Sequence, residues 1–340
     1  MLYYYALLYY NINLKQINTM KKIHLISTLI GLLAFSTISK ADLKVVTSIK
    51  PIHSLASYIM DGVGSPGLIV DGYNSPHNFQ LKPSHAKMLE QADIIFWVGE
   101  DLENFLEKPL DTIAKKAEKI ELLEIKGIKK LKFRERNIFE EHDDHGHDAK
   151  KEEHDDHGHD AKKEEHDDHE GHGHGEYDPH IWLDPINAKV ILNEITEHLI
   201  ENDSKNASTY KSNLAKALAE IDKLIIDVIT ETNTDLSYVV FHDAYQYYEN
   251  RFNVNILGAM TVNPDVMPGA EQIHEIHEVI EHDNVSCILS EPQFNPDIIK
   301  SIAKDTNVKT GVLDPLGANL KPGKDLYFNL IRNMSASFNC

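Results

Sequence analysis

Cysteine is almost absent: the 340-residue chain carries two, Cys287 and Cys340, too few for a disulfide framework or a multi-cysteine metal site. In an oxidising compartment such a pair is bridged more often than free. A bridge would staple the C-terminal helix to a strand around Cys287, and two unpaired thiols are the alternative. Basic residues are also scarce, with 34 Lys and Arg against 54 Asp and Glu and a formal charge of -20. That balance argues against nucleic acid, whose phosphates need clustered Lys and Arg. Beyond the N-terminal region no apolar run is long enough to cross a bilayer.

The N-terminal region reads as an export signal behind an upstream extension, residues 1–19. Met20-Lys21-Lys22 is a basic n-region, Ile23 to Ile38 an apolar h-region, and Ser39-Lys40-Ala41 a small-x-small cleavage motif, giving a signal peptide over 20–41. The alternative is a membrane anchor, for which the apolar run is at the short end. No cysteine follows the cleavage point, so a lipid-anchored mature protein is not expected.

A 12-residue unit, Glu140-Glu141-His142-Asp143-Asp144-His145-Gly146-His147-Asp148-Ala149-Lys150-Lys151, recurs from Glu152 and degenerates in a third copy from Glu164 to Gly175. It holds ten of the chain's 20 histidines: His142, His145, His147, His154, His157, His159, His166, His169, His172 and His174. Between Glu140 and Asp178 there are 17 acidic residues against four lysines, so the rest of the chain is only mildly acidic. Without apolar side chains the tract cannot offset its ordering entropy, and a mobile loop is expected over about 140–176. Imidazoles and carboxylates should bind several divalent ions there, weakly and interchangeably. Directly afterwards, Tyr177-Asp178-Pro179-His180-Ile181-Trp182-Leu183-Asp184-Pro185 sets one histidine among Pro, Ile and Trp, as a fixed ligand would be set.

Around the tract the chain alternates strand and helix. Strands are expected near 43–49, 67–70, 93–98 and 120–123, and again near 238–241, 254–257, 285–289 and 309–313. Helices lie between them, opened by Pro51, Pro83 and Pro268-Gly269. The pattern implies an α/β fold with mostly parallel sheets. A first unit spans 42–185, a helical region 186–236, and a second unit 237–340. A long amphipathic helix over about 204–230, with Ser204 or Asn206 as N-cap, could hold the two units in a fixed relation.

Ligands of open α/β sheets sit off the carboxyl ends of strands, and His77, His242 and Asp314 all lie just past one. Zinc takes about four ligands in a tetrahedron, which makes His77, His180, His242 and Asp314 the candidates, with water or a partner role as alternatives for Asp314. Asp184 and Asp243 flank the candidates and could orient an imidazole. His274-Glu275-Ile276-His277-Glu278 with Glu281-His282 fits neither H-E-x-x-H nor H-x-x-E-H and reads as an exposed helix face. His53 and His85 read as capping or surface residues.

Several stretches together resemble the metal-binding solute-binding proteins of bacterial ABC importers (the cluster A-I, or cluster 9, family), and within them the periplasmic zinc-binding branch. They are Asn74-Ser75-Pro76-His77-Asn78-Phe79-Gln80-Leu81-Lys82-Pro83-Ser84, Asp93-Ile94-Ile95-Phe96-Trp97-Val98-Gly99, Asp178 to Pro185, Phe241-His242-Asp243-Ala244-Tyr245, Glu291-Pro292-Gln293-Phe294 and Leu313-Asp314-Pro315-Leu316-Gly317. The resemblance covers essentially all of 42–340. It implies two (β/α)4 lobes joined by a long rigid helix, with one high-affinity Zn²⁺ site in the cleft. His77, His180 and His242 match its three histidine ligands, Asp314 a carboxylate at the site, and Cys287 with Cys340 its disulfide. Manganese-selective relatives replace the third histidine by a carboxylate, so His242 favours zinc. Pro76 departs from members that carry a glutamate before the first histidine, which leaves Asp314 or water as fourth ligand. The function implied is capture of Zn²⁺ in the periplasm of a Gram-negative bacterium by a monomer that delivers it to an ABC permease, without catalysis. The alternatives are transport of manganese or another divalent metal, an exported zinc hydrolase, and adhesion or metal storage.

Overall fold

The computed structural model describes residues 42–134, 137–139, 175–262, 264 and 268–340. The export signal and the ten tract histidines expected from sequence lie outside the described residues.

Two four-stranded sheets form, all of their strand pairs parallel. The first contains β1 (Val45–Ile49), β2 (Gly67–Val70), β3 (Ile94–Trp97) and β4 (Glu118–Glu121) in the order β2-β1-β3-β4. Between them run α1 (Lys50–Ile59), α2 (Pro83–Glu90) and α3 (Glu100–Thr112). The second sheet contains β5 (Ser237–His242), β6 (Asn255–Thr261), β7 (Cys287–Ser290) and β8 (Lys309–Val312) in the equivalent order β6-β5-β7-β8. Its helices are α6 (Gln246–Phe252), α7 (Ala270–His282) and α8 (Asp297–Thr306), and α9 (Leu326–Ser337) closes the chain. The two helices between the lobes are α4 (Pro185–Asn202) and α5 (Ala207–Glu231).

Parallel sheets are covered on both faces, which is why β1, β3 and β5 are buried along their whole length and read as continuous apolar runs. In β5 the period of two splits the side chains between two cores. Tyr238 and Val240 join the large core shared with the first lobe, while Val239 and Phe241 face a smaller one under α7 and α8.

The linker α5 buries Tyr210, Asn213, Ala217, Ile221, Leu224 and Val228, a spacing of three and four that lines one helical face. At about 1.5 Å per residue it is roughly 37 Å long. Near its start Asn213 Nδ2 donates to Ile59 O and Asp61 O, both at 2.9 Å. Just past its end Thr232 Oγ1 lies 3.1 Å from Ser335 Oγ of α9. Asn206 precedes α5 but does not cap it through its side chain; its Nδ2 donates instead to Asp203 Oδ2 at 2.6 Å.

The segment before the tract behaves differently from its sequence context. Residues 137–139, which the strand–helix order groups with the first lobe, pair antiparallel with the free edge of β6, through Phe139 N to Leu257 O and Ala259 N to Asn137 O, both 2.8 Å. A Cβ on Gly258 would lie 2.7 Å from Asn137 O, so this close approach requires glycine. Covering an edge in this way removes an unpaired strand face. On the far side of the tract, Gly175 N donates to Asp101 Oδ1 of α3 at 2.9 Å, and Tyr177 bridges Lys132. Cys287 at the start of β7 is bridged to Cys340, tying the chain end beside α9 to the second sheet.

Candidate metal centre

Each candidate histidine is placed by its own local device. His77 lies seven residues past β2, in a turn-rich loop that Asn74 Nδ2 tightens onto Asp71 O at 2.5 Å. Gly72 there has φ +71, a left-handed value that glycine adopts without strain. The backbone N–H of His77 donates to Ser75 Oγ at 3.3 Å. His180 precedes a short 3₁₀ turn, Ile181–Leu183, whose Trp182 is fully buried and donates Nε1–H to Pro315 O of the second lobe at 2.9 Å. His242 is the last residue of β5.

The three rings converge. Their centroids are 5.6 Å (His77 to His180), 5.6 Å (His77 to His242) and 5.2 Å (His180 to His242) apart. Each offers one ring nitrogen within 4.8 Å of the others. His180 and His242 are buried, His77 half-buried.

Behind the two buried rings stand two buried carboxylates. His180 Nδ1 lies 2.7 Å from Asp178 Oδ1, which also accepts the His180 backbone N–H at 2.9 Å. His242 Nδ1 lies 2.6 Å from Glu291 Oε1. When ionised, each carboxylate can only accept, which places the Nδ1 proton between carboxylate and ring and, on a neutral ring, leaves the Nε2 lone pair facing the cleft. Those two Nε2 atoms are 3.4 Å apart. Neighbouring ligands of a tetrahedral zinc with Zn–N bonds of about 2.0–2.1 Å are separated by roughly 3.3–3.4 Å. Two lone pairs at that spacing suit a shared cation.

The electrostatics differ between the two rings. Burial, helped by the nearby His242, holds His180 well below the usual imidazole range and therefore neutral. Burial opposes the charged form of His242 as well, but the Glu291 carboxylate, with Asp243 and Asp178 behind it, outweighs that and raises the pKa. Asp178, desolvated by burial, is pushed up to about 7.

Asp314 is not among the converging groups. Its Oδ1 accepts from Leu316 N, Gly317 N and Gln293 Nε2 at 3.1, 2.9 and 3.0 Å, and its Oδ2 from Ala318 N at 2.6 Å. A carboxylate so engaged holds the turn after β8 together. Asp184 and Asp243, expected as partners for an imidazole, do other work. Asp184 caps α4 through Ile186 N at 2.8 Å and takes Arg251 in a two-pronged pair at 2.7 and 2.8 Å. Asp243 pairs with Arg134 at 3.0 Å, and burial pushes it up to about 6. The orienting residues are Asp178 and Glu291. Asp178, two residues before His180, carried a local signal. Glu291 stands 49 positions from His242; it opens the Glu291-Pro292-Gln293-Phe294 stretch that carries the family resemblance and lies just past β7.

His274, His85 and His53 lie apart from this centre. His274 is exposed and paired with Glu278 at 3.5 Å. His85 Nδ1 accepts the Lys82 backbone N–H at 3.2 Å, a cap on α2. His53 is buried within α1, not at the surface, with Nδ1 3.4 Å from Ser57 Oγ.

Residues 45–339 match the family described as zinc-uptake complex component A, periplasmic. The high-affinity zinc uptake system protein ZnuA of Brucella abortus is 48% identical over 301 residues, covering 86% of this chain and 90% of that protein. The protein of the same description from Yersinia pestis is 37% identical over 319 residues, covering 91% and 94%. Among solved structures, the laminin-binding protein Lmb of Streptococcus agalactiae, described as a bifunctional protein with adhesin and metal transporting activity, has a TM-score of 0.67 at 22% identity, over 87% of this chain and 98% of that one. That last likeness speaks to the fold alone. The extent of the family match and the identity to these relatives establish that the chain belongs to the periplasmic A components of zinc-uptake complexes.

Proposed function

We propose that this protein captures Zn²⁺ in the periplasm with His77, His180 and His242, and hands it to the membrane permease of an ABC importer. The observation that carries this reading is the pair of carboxylate-backed imidazoles whose Nε2 atoms face each other at 3.4 Å, with His77 completing the group. Water supplies the fourth position, since Asp314 is occupied by four hydrogen bonds. Nitrogen-rich ligation favours zinc over manganese, which prefers oxygen. A transport component performs no chemistry on its cargo, so the hydrolase alternative is set aside with the family assignment.

Protons and metal compete for the same lone pairs, so affinity falls with pH. Chelator competition at pH 7.5 and pH 5 tests this: weaker binding at pH 5 is expected, and equal affinity at both overturns histidine ligation. The tract, outside the described residues, we read as a weak collector that raises local metal concentration. Deleting 141–174 should leave one tight site and remove several weak ones; unchanged stoichiometry removes that role.

A further inference from the structure

A second histidine–carboxylate cluster lies on the first lobe, at the opposite end of the sheet from the cleft. Glu118 is the first residue of β4, while Glu194, His198 and Glu201 share the last turns of α4. His198 is 18 residues past His180, and 13 of those steps run along α4, or about 20 Å at 1.5 Å per residue. We propose that Glu118, His198 and Glu201 form an auxiliary site for a borderline divalent cation such as Zn²⁺, with Glu194 orienting the ring.

The geometry is that of a ligand set. One atom from each of Glu118, His198 and Glu201 lies within 4.8 Å of the others. His198 Nε2 faces Glu194 Oε1 at 3.2 Å, the carboxylate contact that commonly fixes a metal-bound imidazole through its other nitrogen. That leaves Nδ1 as the donor. It is buried and makes no hydrogen bond, although Glu118 Oε1 is only 2.8 Å away. As neighbouring ligands of one tetrahedral zinc the two atoms would stand about 3.3 Å apart, so loading the site would open this pair by roughly half an ångström. The other Glu118 oxygen is held by Asn202 Nδ2 at 2.9 Å, and the ring packs edge-on to Phe96. The site also sits at the carbonyl end of α4, where the helix dipole favours a cation. One imidazole with two carboxylates suits zinc, nickel or copper more than magnesium. With one nitrogen where the cleft has three, the site should be the weaker.

The test uses the full mature chain labelled with ¹⁵N-histidine and titrated with zinc beyond the first equivalent. The His198 ring is assigned from a His198→Gln spectrum, and exposed His274 serves as the internal reference. Residue-specific signals keep tract binding from obscuring the result. His198 is expected to shift at lower zinc than His274. Glu201→Gln, at an exposed position that does not threaten the fold, and Glu118→Gln should each raise the His198 midpoint by about tenfold or more, and Glu194→Gln by about tenfold. The cleft histidines should fill as before in all three. A His198 shift no earlier than that of His274, or a midpoint indifferent to Glu118 and Glu201, overturns the proposal.

Discussion

The two lobes share a strand order and put the ends of corresponding strands to different uses. In each sheet the strand second in order pairs with the first and third. Where that strand ends in the second lobe stands His242, facing the cleft; just past it in the first lobe stands Lys50, facing the other lobe. Lys50 is buried, and its Nζ donates to Ala318 O at 3.0 Å and Leu320 O at 2.7 Å. The same strand end thus presents an imidazole to the cleft in one lobe and a lysine that docks the lobes together in the other. The strand third in order repeats the contrast. Glu291, just past β7, holds a cleft imidazole, whereas Glu103, six residues past β3, turns inward where α3 departs from helical geometry and accepts Val98 N and Gly99 N at 2.8 and 3.0 Å.

Replacing His242 strikes the comparison at its strongest point. His242→Ala removes one of three nitrogen donors and should weaken zinc binding on the order of a hundredfold or more, about 3 kcal/mol, in a competitive chelator titration. Glu291→Gln keeps the ligand but replaces the carboxylate that fixes its tautomer, and a loss of about 10- to 100-fold is expected. Equal affinity in this variant and wild type would mean that the contact is structural only. Lys50→Met should act on stability instead. Two charge-assisted hydrogen bonds vanish and two carbonyls lose a donor, for a loss of about 2–3 kcal/mol in urea unfolding, while zinc affinity changes by less than tenfold. A larger affinity loss at Lys50 than at Glu291 would reverse the division of labour drawn between the lobes.

The comparison also shows what a linear reading reaches. Parallel strands buried on both faces leave apolar runs between helix openers, so Ile94-Ile95-Phe96-Trp97 and Tyr238-Val239-Val240-Phe241 announce themselves. The strand-end rule picks out His77, His242 and Asp314 alike, yet only the first two join His180 in the structure. The reason lies in backbone geometry: Gly317 adopts φ +69, and the turn around it aims three N–H groups at the Asp314 carboxylate, which hydropathy cannot foretell. Long-range partners stay hidden for the same kind of reason. Nothing near Glu291 marks it as the partner of His242, and nothing near Asn137 marks it as an edge neighbour of β6, because both depend on register between segments far apart in sequence.

Glu103 supplies the smallest effect on zinc and a distinct signature in stability. Burial pushes its carboxyl up to about 7 from an ordinary 4.5, against the pull of the Val98 and Gly99 N–H groups. Between those values the folded protein keeps a proton that the unfolded chain has released. The unfolded state therefore binds fewer protons, and stability falls as pH rises. This contribution is fully present below about 4.5 and is lost as pH climbs through about 7. Glu103→Gln retains an oxygen to accept the two backbone N–H groups but cannot ionise. The difference in unfolding free energy between variant and wild type, followed by urea titration from pH 4 to pH 8, should grow in favour of the variant across that window while zinc affinity at pH 7.5 stays unchanged. Parallel pH curves would show that Glu103 ionises in the folded protein as readily as in the unfolded chain, and that the turn after β3 imposes no proton preference.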